Sequence, residues 1–184
     1  VRKTLGNQAI YAGSYGWASA GRFHHAQSQV HRFLNCLGGY TKSKNTYSYA
    51  AAEVIIPHVL GGNLMDILTR QTSWQSVCGN TGLMVAFGGL PAYNAQVSNG
   101  GTGAHIQRTG VREAAAKGTK FVNLSPRRSD VKHDIEEDWI QLRPNTDVAV
   151  MLAMCHTLLA EGLHDQAFLD RYTTGFDRFA AYLS

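Results

Sequence analysis

Apolar and polar positions follow two rhythms along this chain. Short apolar runs at 8–12, 83–87, 120–124 and 139–142 predict buried strands, with 83–87 and 120–124 central in a sheet and 139–142 shorter. Elsewhere the apolar positions return every three or four residues. Phe23, Ala26, Val30, Phe33, Leu34 and Leu37 predict a helix with Ser19 as its N-cap and Gly38-Gly39 as its stop. Residues 43–49 read as polar loop, and 50–60 as a helix that breaks or kinks at Pro57 before Gly61-Gly62. A short helix is expected at 111–117. The most regular stripe is Val148, Met151, Leu152, Cys155, Leu158 and Leu159; its helix starts at Asn145 or Thr146 and stops at Gly162. A last helical pattern covers 176–183. This order of elements predicts an α/β protein, a Rossmann-like parallel sheet covered by helices. A composition shift near 61–73 separates an N-terminal helical part, residues 1–62, from the Rossmann-like part, residues 63–184.

Composition places this α/β unit inside something larger. The 184 residues are 44% apolar, enough for a core, but only 16% charged, against roughly 25% in an average soluble domain. Nineteen glycines and eight histidines accompany that low charge. Such a chain resembles an interior or cofactor-binding segment more than a free-standing small domain. The start at Val1-Arg2-Lys3 and the uncapped helical pattern at the other end lead to the expectation of a fragment. Seventeen basic and 13 acidic residues give +4, scattered apart from Arg127-Arg128, so no basic stripe suits a nucleic acid duplex. No stretch reaches the length of a membrane span. Cys36, Cys78 and Cys155 stand far apart with no CxxC, which indicates neither a disulfide framework nor a zinc site.

Several clusters could carry chemistry. Ala12-Gly13-Ser14-Tyr15-Gly16 follows a predicted strand and approximates a nucleophile elbow, with Asp134 and His156 as nominal partners for Ser14. His24 and His31 are seven apart on the predicted first helix, whereas a helical metal pair wants three or four, so hydrogen bonding or solvation suits these histidines better. Gly100-Gly101-Thr102-Gly103 fails the dinucleotide fingerprint at its last position and reads equally as ligand-approaching or as plain loop. Ser125-Pro126-Arg127-Arg128-Ser129 leaves the carboxyl end of a predicted strand, where open α/β sheets bind ligands; a ribose phosphate site and an exposed basic turn are both open. Asn145-Thr146-Asp147 is first a helix cap, and could also hold a base or pterin amine. Spacing alone assigns no chemistry to Tyr15, Trp17 or Ser48.

Together these segments resemble the dimethyl sulfoxide reductase family of S-/N-oxide reductases. The resemblance is carried by residues 13–27 (Gly-Ser-Tyr-Gly-Trp through His-His-Ala-Gln), 45–58, 71–74, 144–148 and 163–169, in collinear order over essentially the whole chain. Residues 13–27 with Phe87-Gly88-Gly89-Leu90-Pro91 and Asn94-Ala95-Gln96 are most similar to the biotin/methionine sulfoxide reductase subgroup. The family holds molybdenum between two molybdopterin guanine dinucleotides, with one serine as protein ligand. The resemblance gives that role to Ser48, whose alkoxide suits a hard, high-valent metal. Tyr15 and Trp17 match the family's donors to the oxygen being transferred. Gly88, Pro91, Asn94, Gln96, Ser125, Arg128, Asn145 and Asp147 match its cofactor contacts. The chain departs from the usual pattern at Leu90, at Tyr93 (commonly lysine) and at Ser125 (often aspartate).

The resemblance therefore implies a two-electron reduction of a sulfoxide or N-oxide to thioether or amine plus water. It also implies an electron donor, the rest of a longer polypeptide as partner, and a bacterial setting, cytoplasm before periplasm. By itself the fragment would be catalytically incomplete.

Overall fold

The computed structural model describes residues 1–14, 23–95, 97–98, 101–102, 104–131 and 134–184. In chain order its elements are α1 (Arg2–Leu5), α2 (Ala26–Cys36), α3 (Ala50–Leu60), α4 (Leu64–Thr69), α5 (Trp74–Asn80), β1 (Leu83–Phe87), β2 (Val97–Ser98), β3 (Gly101–Thr102), α6 (Gln107–Ala116), β4 (Lys120–Ser125), β5 (Asp138–Gln141), α7 (Asp147–Ala160), α8 (Gln166–Tyr172) and α9 (Phe176–Leu183). Contacts separate two interleaved units, residues 1–82 with 91–119, and residues 83–90 with 120–184.

In the first unit the strand expected at 8–12 is absent. A 3-10 turn spans Asn7–Ala9, and only Tyr11 makes an isolated parallel bridge, to Thr41. The polar groups of this segment are satisfied one at a time by the chain after α2. Thr41 N donates to Ile10 O at 2.8 Å, Thr41 Oγ1 to Gln8 O at 2.7 Å, and Asn7 Nδ2 to Leu37 O at 3.0 Å. A run held this way needs no ladder.

Helix α2 starts later than its apolar rhythm suggests. His25 is the N-cap: its Nδ1 accepts from Ser28 N at 3.3 Å and is 2.5 Å from Ser28 Oγ. Phe23 and His24 therefore precede the helix, and Ser19 lies outside the described residues. The stop is as expected, with Gly38 and Gly39 at positive φ bonding back to Asn35 and Leu34. Helix α3 runs unbroken through Pro57 to Leu60. Proline there removes one donor close to the helix end, and Gly61, at φ 74°, restores closure by donating to Pro57 O at 3.1 Å.

Two short helices occupy the stretch that composition marked only as a shift. Asn63 caps α4 through Asp66 N at 2.9 Å, and Ser73 caps α5 through Ser76 N at 3.2 Å. Helix α5 packs on α6, which starts earlier than expected, at Gln107. Gly110 is what permits the approach: a Cβ there would lie 2.3 Å from Trp74 Cδ2. The Cys78 thiol donates to Gly110 O at 3.5 Å, and Val111 and Ala114 are wholly buried. In the second glycine cluster Gly101 and Thr102 form β3, which pairs antiparallel with β2.

The second unit holds the expected parallel sheet, in the order β1-β4-β5. Val85 pairs with Val122 and Leu124 with Ile140. Among the described residues β4 alone is central. Strand β1 is an edge, which explains why Leu83 is 55% exposed. Along β4, Phe121, Asn123, Leu124 and Ser125 are buried. Helix α7 carries the expected stripe, but Val148 is 66% exposed and only Leu152, Cys155 and Leu159 are half-buried. No helix among the described residues is long and apolar enough to cross a membrane.

Gly110→Val in the intact protein should lower the melting midpoint by an amount corresponding to about 1–3 kcal/mol, because Trp74 must move. Gly62→Ala, with nothing within 4 Å of its Cβ, should stay within about 0.5 kcal/mol. Equal midpoints for the two variants would contradict this packing.

Candidate functional site

Three segments of the first unit enclose a basin of about 650 Å³. They are the chain at 11–14, the start of α2 with His25 and Gln27, and the loop at 42–49. Gln27 Nε2 donates to Ser14 O at 2.8 Å, fixing the chain one residue before Tyr15. Tyr11 Oη and Ser43 Oγ share a 2.7 Å bond across the wall. Asn45 takes φ 63°, and Tyr49 N donates to Thr46 Oγ1 at 3.3 Å, turning the loop into α3. Tyr47 and Tyr49 both line the basin. Between them Ser48 is exposed, and its hydroxyl has no hydrogen bond among the described residues. It stands one residue before the α3 N-cap, which no side chain caps. The positive end of that helix favours a negative charge there.

A second cluster lies at the carboxyl ends of β1 and β4, in the other unit. Gly88 and Gly89 take φ 76° and 80° in succession. Gly88 N donates to Leu124 O at 2.9 Å, and a Cβ on Gly88 would enter space with no atom within 4 Å. Gly89 is different. A Cβ there would lie 2.5 Å from both Cβ and O of Asp130, while Leu90 N donates to that same carbonyl at 2.8 Å. The Asp130 carboxylate accepts from Arg127 Nη2 at 2.7 Å and Nε at 3.1 Å on one oxygen, and from Ser125 Oγ at 2.5 Å on the other. The Arg127 bonds, then the Ser125 bond, hold its carboxyl below the usual aspartate range against the opposing effect of burial. Trp139 Nε1 donates to Ser125 O at 2.9 Å and ties in β5.

Beneath that loop Asn123 is completely buried. Its Nδ2 donates to Arg128 O at 3.2 Å, and its Oδ1 has no hydrogen-bond partner among the described residues. Glu137, also with an orphaned oxygen, is pushed up by burial, with Asn123 and Arg128 pulling the other way.

The expected site residues fall as follows. Ser14 lines the basin and Ser48 stands in sequence between two residues that do, whereas Tyr15, Trp17 and Gln96 lie outside the described residues. Gly88 and Arg128 are exposed on the loops that follow β1 and β4. Ser125 is 0% exposed and its hydroxyl is engaged with Asp130, so it shapes the loop from below. Asn145 is exposed at φ 66°, and Asp147 is the half-buried first residue of α7. Neither caps by side chain; Thr146 takes the N-cap position and its Oγ1 donates to Arg143 O at 2.6 Å. Pro91 and Asn94 belong to the first unit, where Asn94 N donates to Pro91 O at 3.1 Å in a 3-10 turn.

The elbow reading of Ser14 loses the strand it needs, because a 3-10 turn and a lone bridge precede it. Sequence reasoning missed Asp130, and named Gly89 only as part of a motif, without its contact to Asp130. The signal available was Arg127 three residues before Asp130, on one turn of 3-10 helix.

A parallel sheet with an open glycine turn and a braced basic loop at its strand ends belongs to the α/β class that binds ligands there. The sequence profile of the molybdopterin oxidoreductase family matches residues 1–180. Dimethyl sulfoxide/trimethylamine N-oxide reductase of Cereibacter sphaeroides is 40% identical over 184 residues, covering 100% of this chain and 22% of the relative. Biotin sulfoxide reductase of the same organism is 39% identical over 178 residues, covering 97% and 24%. Trimethylamine-N-oxide reductase of Haemophilus influenzae is 34% identical over 186 residues, covering 100% and 22%. This chain belongs to the molybdopterin oxidoreductase family, and it spans about a fifth of the length of these curated relatives.

Membership implies molybdenum and a molybdopterin, and the residues fit such a group. A metal that arrives within an organic cofactor brings donors with it. Among the described residues no three His, Cys, Asp or Glu side chains form a cage, while Ser48 offers an open, hard oxygen donor. The empty space at the Gly88 Cβ position gives a ligand access to backbone.

Asp130→Asn should destabilise the intact protein by about 1–3 kcal/mol at pH 7, since a charge-assisted bond set is weakened. Folding lowers this carboxyl's proton affinity, so its stabilisation is complete above the ordinary aspartate range and is lost as pH falls through the depressed folded value. Urea midpoints of the two proteins should therefore converge in acid. A gap that widens with falling pH would contradict the clamp.

Proposed function

We propose that the full-length protein is a molybdenum S-/N-oxide reductase, with Ser48 as the protein ligand of the metal. The observation that carries this reading is the exposed, unbonded Ser48 hydroxyl, whose sequence neighbours Tyr47 and Tyr49 line one basin together with Ser14. The bound group is a bis-molybdopterin guanine dinucleotide, which supplies two-electron oxygen-atom transfer. Ser48 would hold the metal through its deprotonated hydroxyl oxygen, a charge that the α3 terminus favours. Tyr15 and Trp17, just beyond Ser14, donate hydrogen bonds to the oxygen that leaves a sulfoxide or N-oxide, where negative charge develops. Thioether or amine and water are the products, with two electrons from an electron donor and two protons from solvent.

Residues 1–62 supply the metal ligand and aromatics, and residues 63–184 bind one dinucleotide. Gly88, Pro91, Asn94 and Gln96 contribute after β1, Arg128 and the backbone braced by Ser125 after β4, and Asn145 and Asp147 at the start of α7. The remainder of a longer polypeptide completes the site, in a bacterial cytoplasm rather than periplasm. A non-catalytic nucleotide-binding module is the rival: it would tolerate Ser48→Ala.

In the full-length protein, Ser48→Ala should cut sulfoxide reduction at least about a hundredfold, more than loss of an outer-shell partner costs, while the melting midpoint is kept. Full turnover with an unchanged metal spectrum would sink the proposal. An esterase activity lost with Ser14→Ala but kept with Ser48→Ala would favour a serine hydrolase instead.

A further inference from the structure

On the reading that the loops after β1 and β4 hold a dinucleotide, we infer that Asp130 is a positioning residue for that ligand. Asp130 does not touch it. Instead it sets the backbone at Gly88 and the turn that carries Arg128, which do.

Asp130 is 8% exposed, and both oxygens of its carboxylate are engaged inside the protein, one by Arg127 and the other by Ser125. Its negative charge would in any case repel a diphosphate. Its contacts run to both strand ends. Toward the loop after β1, its main-chain carbonyl accepts from Leu90 N at 2.8 Å, and its Cβ and carbonyl fill the place beside Gly89. Gly88 is thereby held between this contact and its own bond to Leu124 O. Toward the loop after β4, Asp130 N donates to Arg127 O at 3.2 Å while the carboxylate holds the Arg127 guanidinium.

The two neighbouring arginines therefore have different tasks. Arg127 is paired with Asp130 at 2.7 Å. Arg128 opens the 3-10 turn that contains Asp130, and its carbonyl accepts from the wholly buried Asn123 at 3.2 Å. Its side chain is left exposed. An arginine on an anchored turn loses less freedom on gripping a phosphate than one on a mobile loop. Without the Asp130 carboxylate the turn loses its bonds to Ser125 and Arg127, and that advantage goes with them.

The test uses full-length holoenzyme and follows the guanine nucleotide that acid hydrolysis liberates from protein-bound cofactor. Its rate of loss during dialysis is measured where every variant stays folded by circular dichroism. Asp130→Asn should raise that rate about tenfold over wild type. In an Arg128→Gln background the same change should add no more than about threefold, because Asp130 acts through the Arg128 turn. Gly89→Ala, which displaces Asp130 from the other loop without altering charge, should also speed the loss, and adding Asp130→Asn to it should change little. An unchanged rate in Asp130→Asn beside a lowered melting midpoint overturns the inference and leaves a purely structural clamp. A full-sized rise that persists in Arg128→Gln also overturns it, since Asp130 would then act without Arg128. Wild type that carries no guanine nucleotide defeats the dinucleotide reading itself, and this inference with it.

Discussion

Asp130 holds the carboxyl ends of two parallel strands in one arrangement. Its carbonyl takes Leu90 N from the loop after β1, and its carboxylate takes Ser125 and Arg127 from the loop after β4. Gly89 must lack a side chain for the first contact to form, because Asp130 fills the place a Cβ would take. With these loops tied together, Gly88 is left facing open space and Arg128 is left exposed. A site that receives a large anionic cofactor needs such bracing, since loops free to move would lose ordering entropy on every binding event.

Much of this fold could be read from pattern alone. Strands at 83–87 and 120–124, the helix stopped by Gly38-Gly39 and the long helix ending at Gly162 all have periodic apolar positions and clear terminators. The failures have physical causes. Residues 8–12 are apolar like a strand, but their partners are side chains and a single bridge residue, which periodicity does not register. Helix α3 passes through Pro57 without the expected break or kink, because position, one turn from the helix end, decides what a proline costs. Helix α2 starts at His25 because an imidazole can cap, a role ordinarily looked for in Ser, Thr, Asp or Asn.

The candidate site was legible in a different way. Collinear motifs named Ser48, Ser125 and Arg128, but only coordinates show that they act differently. Ser48 is an exposed hydroxyl between two tyrosines that line the basin. Ser125 is a wholly buried brace whose hydroxyl is already used. Asp130 had no motif to announce it, since a carboxylate three residues after an arginine is common on any surface.

The central claim is that Ser48 is the protein ligand of molybdenum. X-ray absorption at the molybdenum edge, on full-length wild type and Ser48→Cys at matched metal content, tests it most directly. The account predicts that the variant loses one oxygen neighbour and gains one sulfur neighbour. Superimposable spectra from the two proteins would contradict it.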